Sequence, residues 1–278
     1  MTVVGLGLIG GSMVTDLRRR GFTDYVIGVD LDPLHCDAAK RLGLVDETAE
    51  LAEAIPRSDF VLVAVPVSAS LQVLPRVLDL VTTQTVTDVG STKRVVVEGV
   101  RNHPNRRRFV ASHPMAGTEN SGPWAALSNL FDGKAGIICD AVDSAEDAVA
   151  EVEAMYQTLN MRPVRLNAAQ HDEHVAYVSH ISHVISFALA LTVLRKEKDE
   201  HTVFDLASGG FASTARLAKS SPEMWTPIFC QNADNIVNVL DSYMGQIREF
   251  RELLVAGDAD GLTHMIRDAN NIRRVLNG

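Results

Sequence analysis

The hexamer Gly5-Leu6-Gly7-Leu8-Ile9-Gly10 constrains this chain more than any other stretch, because it fits GxGxxG in the context such a loop needs. Thr2–Val4 is a short apolar run that leads into it, and residues 9–20 follow with helical spacing until Gly21. Gly5 permits a tight turn, Gly7 has no Cβ to hold a pyrophosphate away, and Gly10 lets the helix pack close to the strand. Leu8 and Ile9 complete the cofactor-binding set, where a helix N-terminus offers unpaired N–H groups and partial positive charge to phosphates. Asp30 closes the next strand, 20 residues after Gly10, and suits hydrogen bonds from the adenosine ribose hydroxyls. A carboxylate there repels a 2′-phosphate, so NAD is favoured over NADP. Asp32 is read as the cap of a helix starting at Pro33.

The rest of the first half keeps the alternation. Strands are expected over 25–29, 60–65, 85–89, 109–112, 136–139 and 163–166, with helices over 33–42, 69–80, 91–100 and 145–159. Strands alternating with helices imply a doubly wound, mainly parallel sheet. After Asn167 the strand signals stop, and residues 168–198, 222–256 and 258–275 carry helical periodicity. The expected fold is therefore an N-terminal α/β Rossmann domain over 1–166 and an all-α C-terminal domain over 167–278. Residues 184–194 are apolar nearly all round and should be buried on every side, which a small helical domain does poorly alone; a homodimer through this half is inferred.

Composition narrows the function. A net charge of −9 argues against a nucleic-acid surface, and the basic run Arg106-Arg107-Arg108 reads as a solvated loop before a strand. Cys36, Cys139 and Cys230 are odd in number and form no CxxC, which implies no disulfide framework or zinc knuckle and fits a reducing compartment. The apolar run 184–194 is shorter than the about 20 residues needed to span a bilayer, and no secretory signal precedes the glycine loop. A cytoplasmic protein with no membrane partner is expected. His171-Asp172-Glu173-His174 resembles metal-ligand spacing but lacks the i, i+4 histidine pair of a zinc helix, so no metal is assigned.

Four islands remain that core packing does not explain: DVGSTK at 88–93, SHPMAGTE at 112–119, HDEHVAYVSHISH at 171–183 and ARLAKSSPEMW at 215–225. With GLGLIGGS at 5–12, they make the chain similar to the prephenate/arogenate dehydrogenase family of tyrosine biosynthesis over nearly its whole length. The resemblance implies roles residue by residue. His113 matches the catalytic histidine that takes the proton of the substrate ring hydroxyl as hydride leaves, a task suited to a group titrating near 6.5. Ser91 matches a serine orienting that histidine. Arg216 matches the arginine that binds a substrate carboxylate. His180 and His183 match histidines lining the substrate pocket, Glu119 an acidic residue at its mouth, and Trp225 an aromatic wall. The implied reaction is NAD-dependent oxidative decarboxylation of prephenate to 4-hydroxyphenylpyruvate; the alternative is arogenate to tyrosine.

One departure stands out. Some family members carry Arg-Asp-Thr-Thr-Arg where this chain reads Ala212-Ser213-Thr214-Ala215-Arg216, so Ser213 replaces an acid. The absence of that acid favours the keto substrate over the amine. A 3-hydroxyacid-type dehydrogenase would use a helix-borne lysine, and no lysine occurs between 135 and 195. A nucleotide-binding protein without catalysis would not need His113, Ser91 and Arg216 together.

Overall fold

A computed structural model describes residues 1–200 and 202–276. The elements run β1 (Thr2–Val4), α1 (Leu8–Arg19), β2 (Ile27–Val29), α2 (Pro33–Arg41), β3 (Glu47–Thr48), α3 (Leu51–Ala54), β4 (Phe60–Val63), α4 (Val67–Leu80), β5 (Thr85–Asp88), α5 (Arg94–Val100) and β6 (Phe109–Pro114). There follow β7 (Ala135–Cys139), α6 (Glu146–Thr158), β8 (Arg162–Leu166) and α7 (Ala168–Val175). A π-helical turn, Ala176–His180, leads into α8 (Ile181–Glu200). Then come α9 (Gly209–Ala215), α10 (Pro222–Gln231), α11 (Ala233–Ala256), α12 (Ala259–Ala269) and α13 (Arg273–Leu276).

The strands form one eight-stranded sheet in the order β3-β2-β1-β4-β5-β6-β7-β8. Strands β1 to β6 pair in parallel; β7 runs antiparallel to β6, and β8 runs parallel to β7. The expected doubly wound sheet is present, with a reversed pair at one edge. The two-residue β3 escapes periodicity analysis because two residues cannot show an alternation.

Side chains alternate across the sheet, so continuous apolar runs feed two cores. Val3, Phe60, Leu62 and Val110 face Met13, Val14 and Leu17 of α1 and Val152, Met155 and Tyr156 of α6. Val4, Val61, Val63, Phe109 and Ala111 face Leu74, Val77 and Leu78 of α4 and Val96, Val97 and Val100 of α5. Chain order reverses between β1 and β4, and the loops leaving those two strands open a crevice at their C-terminal ends, the place where open α/β sheets bind ligands.

Packing divides the chain into two compact units, Met1–Asn232 and Ala233–Gly278. Helices α7 to α10 thus belong to the same unit as the sheet. Asn167 begins α7 with a capping box: its side chain accepts from the Gln170 N–H at 2.8 Å, and the Gln170 side chain accepts from the Asn167 N–H at 3.4 Å. In the second unit, Gly257 at φ +64° turns α11 into α12, and Asp258 caps α12 by accepting from the Gly261 N–H at 2.9 Å.

Residues 184–194 are not buried on every side within one chain: Leu191 is 54% and Leu194 48% exposed. The helical run expected over 168–198 is present, and by length and composition alone it could cross a membrane. Its first two turns, however, bury His171 and Asp172 in a polar network against the loop after β5.

Candidate active site

The glycine turn behaves as its spacing predicts. Gly5 sits at φ +100°, and a Cβ there would collide with the Ala64 carbonyl on β4's exit loop. A Cβ on Gly10 would collide with the Gly5 carbonyl and press on Val3, so Gly10 serves packing and does not line the crevice. A Cβ on Gly7 would meet nothing within 4 Å. Gly7 is also the N-cap of α1 and offers no side chain, so the first N–H groups of that 12-residue helix have no side-chain cap. At the end of β2, Asp30 accepts the Leu6 N–H at 2.8 Å and the Asp32 N–H at 2.9 Å, which ties the carboxylate to the glycine turn. Asp32 caps α2 by accepting the Leu34 N–H at 2.9 Å. An open cradle, uncapped helix N–H groups and an anchored carboxylate fit a dinucleotide.

This turn is one end of a cleft of about 1570 Å³. Gly5, Gly7, Leu8, Ile9 and Asp30 line one part; Ser91, His113, Glu119, His183, Arg216 and Trp225 line another. Residues from the loops after β1, β2, β5 and β6 therefore meet residues from α8 to α10 in a single cavity. His180 is not among the lining residues. The π turn carries it to the other side, where its Nδ1 lies 3.1 Å from the Asn232 amide and its ring meets Trp225 edge-on at 5.8 Å. The i, i+3 spacing that should have put both histidines on one face is interrupted there. His183 does face the cleft and stacks on Trp225, ring centroids 3.4 Å apart. The Trp225 Nε1 is buried and has no hydrogen-bond partner among the described residues. Arg216 and Glu119 pair at 3.8 Å, both partly exposed.

Behind the cleft lies a buried polar frame. Lys93 is fully buried; its ammonium pairs with Asp88 and donates to the Ser112 carbonyl at 2.8 Å. Asp88 also accepts the N–H groups of Gly90 at 2.9 Å and Ser112 at 3.1 Å. The pair is thus fully hydrogen-bonded, the condition under which a buried ion pair is tolerated. It holds residues 89–93 as a loop, so α5 starts at Arg94 rather than Ser91, and Ser91 stays free of the helix to face the cleft.

His113 on β6 donates into or accepts from His171 on α7, with Nδ1 and Nε2 2.9 Å apart. The Nδ1 of His171 lies 2.8 Å from Asp172 Oδ1. Asp172 in turn accepts the backbone N–H groups of Lys93 at 2.8 Å and Arg94 at 2.9 Å. Burial, then the nearby His171, Lys93 and His180, push His113 well below the usual histidine range, so it is neutral at pH 7. Burial also lowers His171, against the hydrogen bond to Asp172 that raises it. Burial would raise Asp172, but hydrogen bonds from His171, Arg94 and Lys93 outweigh it and keep the carboxylate ionised. Burial brings His180 down to about 4.

Comparison with known proteins agrees with this arrangement. Residues 13–165 match the sequence profile described as prephenate dehydrogenase, nucleotide-binding domain, and residues 167–268 match prephenate dehydrogenase, dimerization domain. The chain belongs to the prephenate dehydrogenase family. It is 30% identical to the prephenate dehydrogenase of Bacillus subtilis over 98% of this chain and 74% of that one. The crystal structure of A. aeolicus prephenate dehydrogenase, in complex with hydroxyphenyl propionate and NAD+, superposes with a TM-score of 0.92 at 30% identity, covering 99% of this chain and 97% of that one. Synechocystis arogenate dehydrogenase superposes with a TM-score of 0.81 at 28% identity, covering 99% of each chain.

Sequence reasoning about this family member missed Lys93, Asp88, His171 and Asp172 as parts of the site. The signal for two of them was present. Ala168, His171, Asp172 and Val175 recur at i, i+3, i+4 and i+7, and all four are buried. A histidine and an aspartate inside the apolar stripe of a helix must have partners in the interior.

Proposed function

We propose that this chain is an NAD-dependent prephenate dehydrogenase that converts prephenate to 4-hydroxyphenylpyruvate. The observation that carries the reading is that His113, Arg216 and the Gly5–Gly7 turn with Asp30 line one cleft. The glycine turn and the start of α1 hold the pyrophosphate, and Asp30 takes the ribose hydroxyls, which favours NAD. When bound, NAD+ supplies the acceptor for the hydride.

The protein's own groups then do four things. Arg216 offers a planar guanidinium to a substrate carboxylate. His183 and Trp225 form a stacked wall along the ring. Neutral His113 accepts the proton of the ring hydroxyl as the ring C–H is lost as hydride. The ring carboxylate then leaves as CO₂, its electron pair aromatises the ring, and the His113 imidazolium returns its proton to the phenolic oxygen. Ser91, which lines the same cleft as His113 and is kept out of α5 in the loop after β5, orients the same hydroxyl. Aromatisation drives the reaction, so positioning and exclusion of water are what the protein must contribute.

Residues 1–166 are assigned to cofactor binding and 167–278 to substrate binding and dimerisation. Half-exposed Leu191 and Leu194 on α8, and exposed Ile247 and Val255 on α11, support a homodimer in which a second copy covers apolar surface. A cytoplasmic location accords with three free cysteines and tyrosine biosynthesis.

Arogenate is the second reading. Glu119 and Glu223 both line the cleft and could receive an ammonium group, whereas Ser213 is absent from the lining and bonds the Gly210 carbonyl at 3.0 Å. Assay of prephenate and arogenate, each with NAD+ and NADP+, tests both. The expected result is the highest kcat/KM for prephenate with NAD+; no turnover of either diene overturns the reading, and a large preference for arogenate selects the second.

A further inference from the structure

Asp172 and His171 lie behind His113 and touch neither the cleft nor each other's neighbours by accident: the three side chains make a single file from β6 to α7 across 58 residues of sequence. Its proton positions can be worked out from the fixed end. Asp172 receives two backbone N–H groups at the start of α5 and is a pure acceptor. Its Oδ1 lies 2.8 Å from the Nδ1 of His171. If that nitrogen carried no proton, two lone pairs would face each other at that distance. The proton of neutral His171 is therefore on Nδ1, and its Nε2 is an acceptor. The Nδ1 of His113, 2.9 Å from that acceptor, must then carry the proton of His113. The ring nitrogen left with a lone pair is Nε2 of His113, on the side chain that lines the cleft.

We propose that His171 and Asp172 are positioning residues that fix His113 in its Nδ1–H tautomer and so make Nε2 the base for the substrate hydroxyl. The proposal rests on the dehydrogenase reading above. In the other neutral tautomer, Nε2 of His113 would carry a proton and could only donate to the hydroxyl oxygen, leaving the hydroxyl proton with no acceptor on this residue. Once Nε2 has taken that proton, the new imidazolium donates from Nδ1 to His171, whose far side is already turned to the Asp172 carboxylate. The proton is returned through the same Nε2, so the file conducts nothing away and the reaction balances. The charged and titratable groups that act on His113 are His171, which is paired with Asp172, then Lys93 and His180. Lys93 is neutralised by Asp88, so Asp172 is the carboxylate that answers a charge on the histidine pair.

The test has two arms. The first is a ¹⁵N–¹H spectrum of histidine-labelled protein with NAD+, with His113 assigned by comparison with His113→Asn. The proton is expected on Nδ1; a His113 proton on Nε2 overturns the proposal, whatever the turnover. The second compares His171→Leu with His171→Gln. A glutamine amide oxygen can reach the place of the His171 Nε2 and accept from His113, whereas leucine cannot. His171→Leu should lower kcat by about 10²-fold with KM for cofactor unchanged, and His171→Gln should recover most of that loss. Equal impairment of both variants, or none in His171→Leu, overturns the positioning role. Wild-type protein that turns over neither diene would instead sink the dehydrogenase reading while the spectrum still judges the tautomer.

Discussion

The two ends of the cleft are built by opposite means. At the cofactor end the chain offers backbone: N–H groups at the start of α1, glycines without Cβ, and one carboxylate pinned by the N–H groups of Leu6 and Asp32. At the catalytic end it offers side chains in file, His113 to His171 to Asp172, beside the buried Lys93–Asp88 pair. The first end is open and waits for a ligand to satisfy it. The second is closed and already satisfied by the protein. A backbone site tolerates most side chains but no extra atom where the ligand lies; a side-chain file tolerates no change of partner. Substitutions at the two ends should therefore fail in different measurements.

The largest effect is expected at the closed end. His113→Asn should reduce kcat by about 10²–10⁴-fold, since the proton acceptor is lost, while cofactor affinity stays as in the wild type. Steady-state kinetics and a fluorescence titration with NAD+ check the two halves. Unchanged turnover would break the comparison outright, because the catalytic end would then not depend on its side chains.

The closed end also carries a cost that the open end does not. Burial depresses the titration of His113, His171, His180 and His183, so the folded chain refuses protons that the unfolded chain accepts. The unfolded histidine value is about 6.5. Stability is therefore full above that pH and is lost as pH falls below it. For His180, brought to about 4 with Asp172, His171 and His183 facing it, the loss by pH 5 is on the order of 2 kcal/mol. Asp172 works in the same sense but in a lower window: it holds its stabilising charge until below the ordinary carboxylate range, so it adds little to the loss between pH 7 and pH 5. Urea unfolding at pH 7 and pH 5 should show the decline, and His180→Asn should lose clearly less than wild type over the same interval. Parallel declines in the two proteins would show that this histidine does not bear the cost.

The same contrast explains what the sequence disclosed. Backbone sites depend on residues close in the chain, so GLGLIG followed by Asp30 could be read by spacing alone. The alternating pattern likewise announced β1, β2, β4, β5 and β6, whose short apolar runs feed the two cores. The reversed direction of β7 was not legible: its apolar run is the same whichever way the strand lies. Resemblance supplied His113, Ser91 and Arg216, but His171 and Asp172 looked like a failed metal motif because their partners lie far away in sequence. His180 was misjudged for a local reason. A regular helix would have set it beside His183, and the π turn at Ala176–His180 shifts the register. Residues 184–194 read as apolar nearly all round and in need of a covering partner, and within one chain the surface of α8 is only half covered there.

The smallest effect belongs to the open end, and it is the cleanest separation of the two. Gly7 has extended backbone at φ −81°, which alanine adopts without strain, and a Cβ there touches no protein atom within 4 Å. Gly7→Ala should slightly raise the melting temperature, because it removes glycine's freedom in the unfolded state. The added methyl instead occupies the space through which a pyrophosphate approaches the helix N-terminus. Affinity for NAD+ should weaken by about tenfold, equivalent to about 1.4 kcal/mol, with kcat at saturating cofactor close to wild type. Gly10→Ala is the control: its Cβ collides with the Gly5 carbonyl, so stability should fall together with cofactor binding. Calorimetric melting and cofactor titration of both variants distinguish a residue kept small for a ligand from one kept small for packing. If Gly7→Ala melts earlier and binds NAD+ normally, the open end is not open, and the cradle assigned to the pyrophosphate lies elsewhere along the cleft.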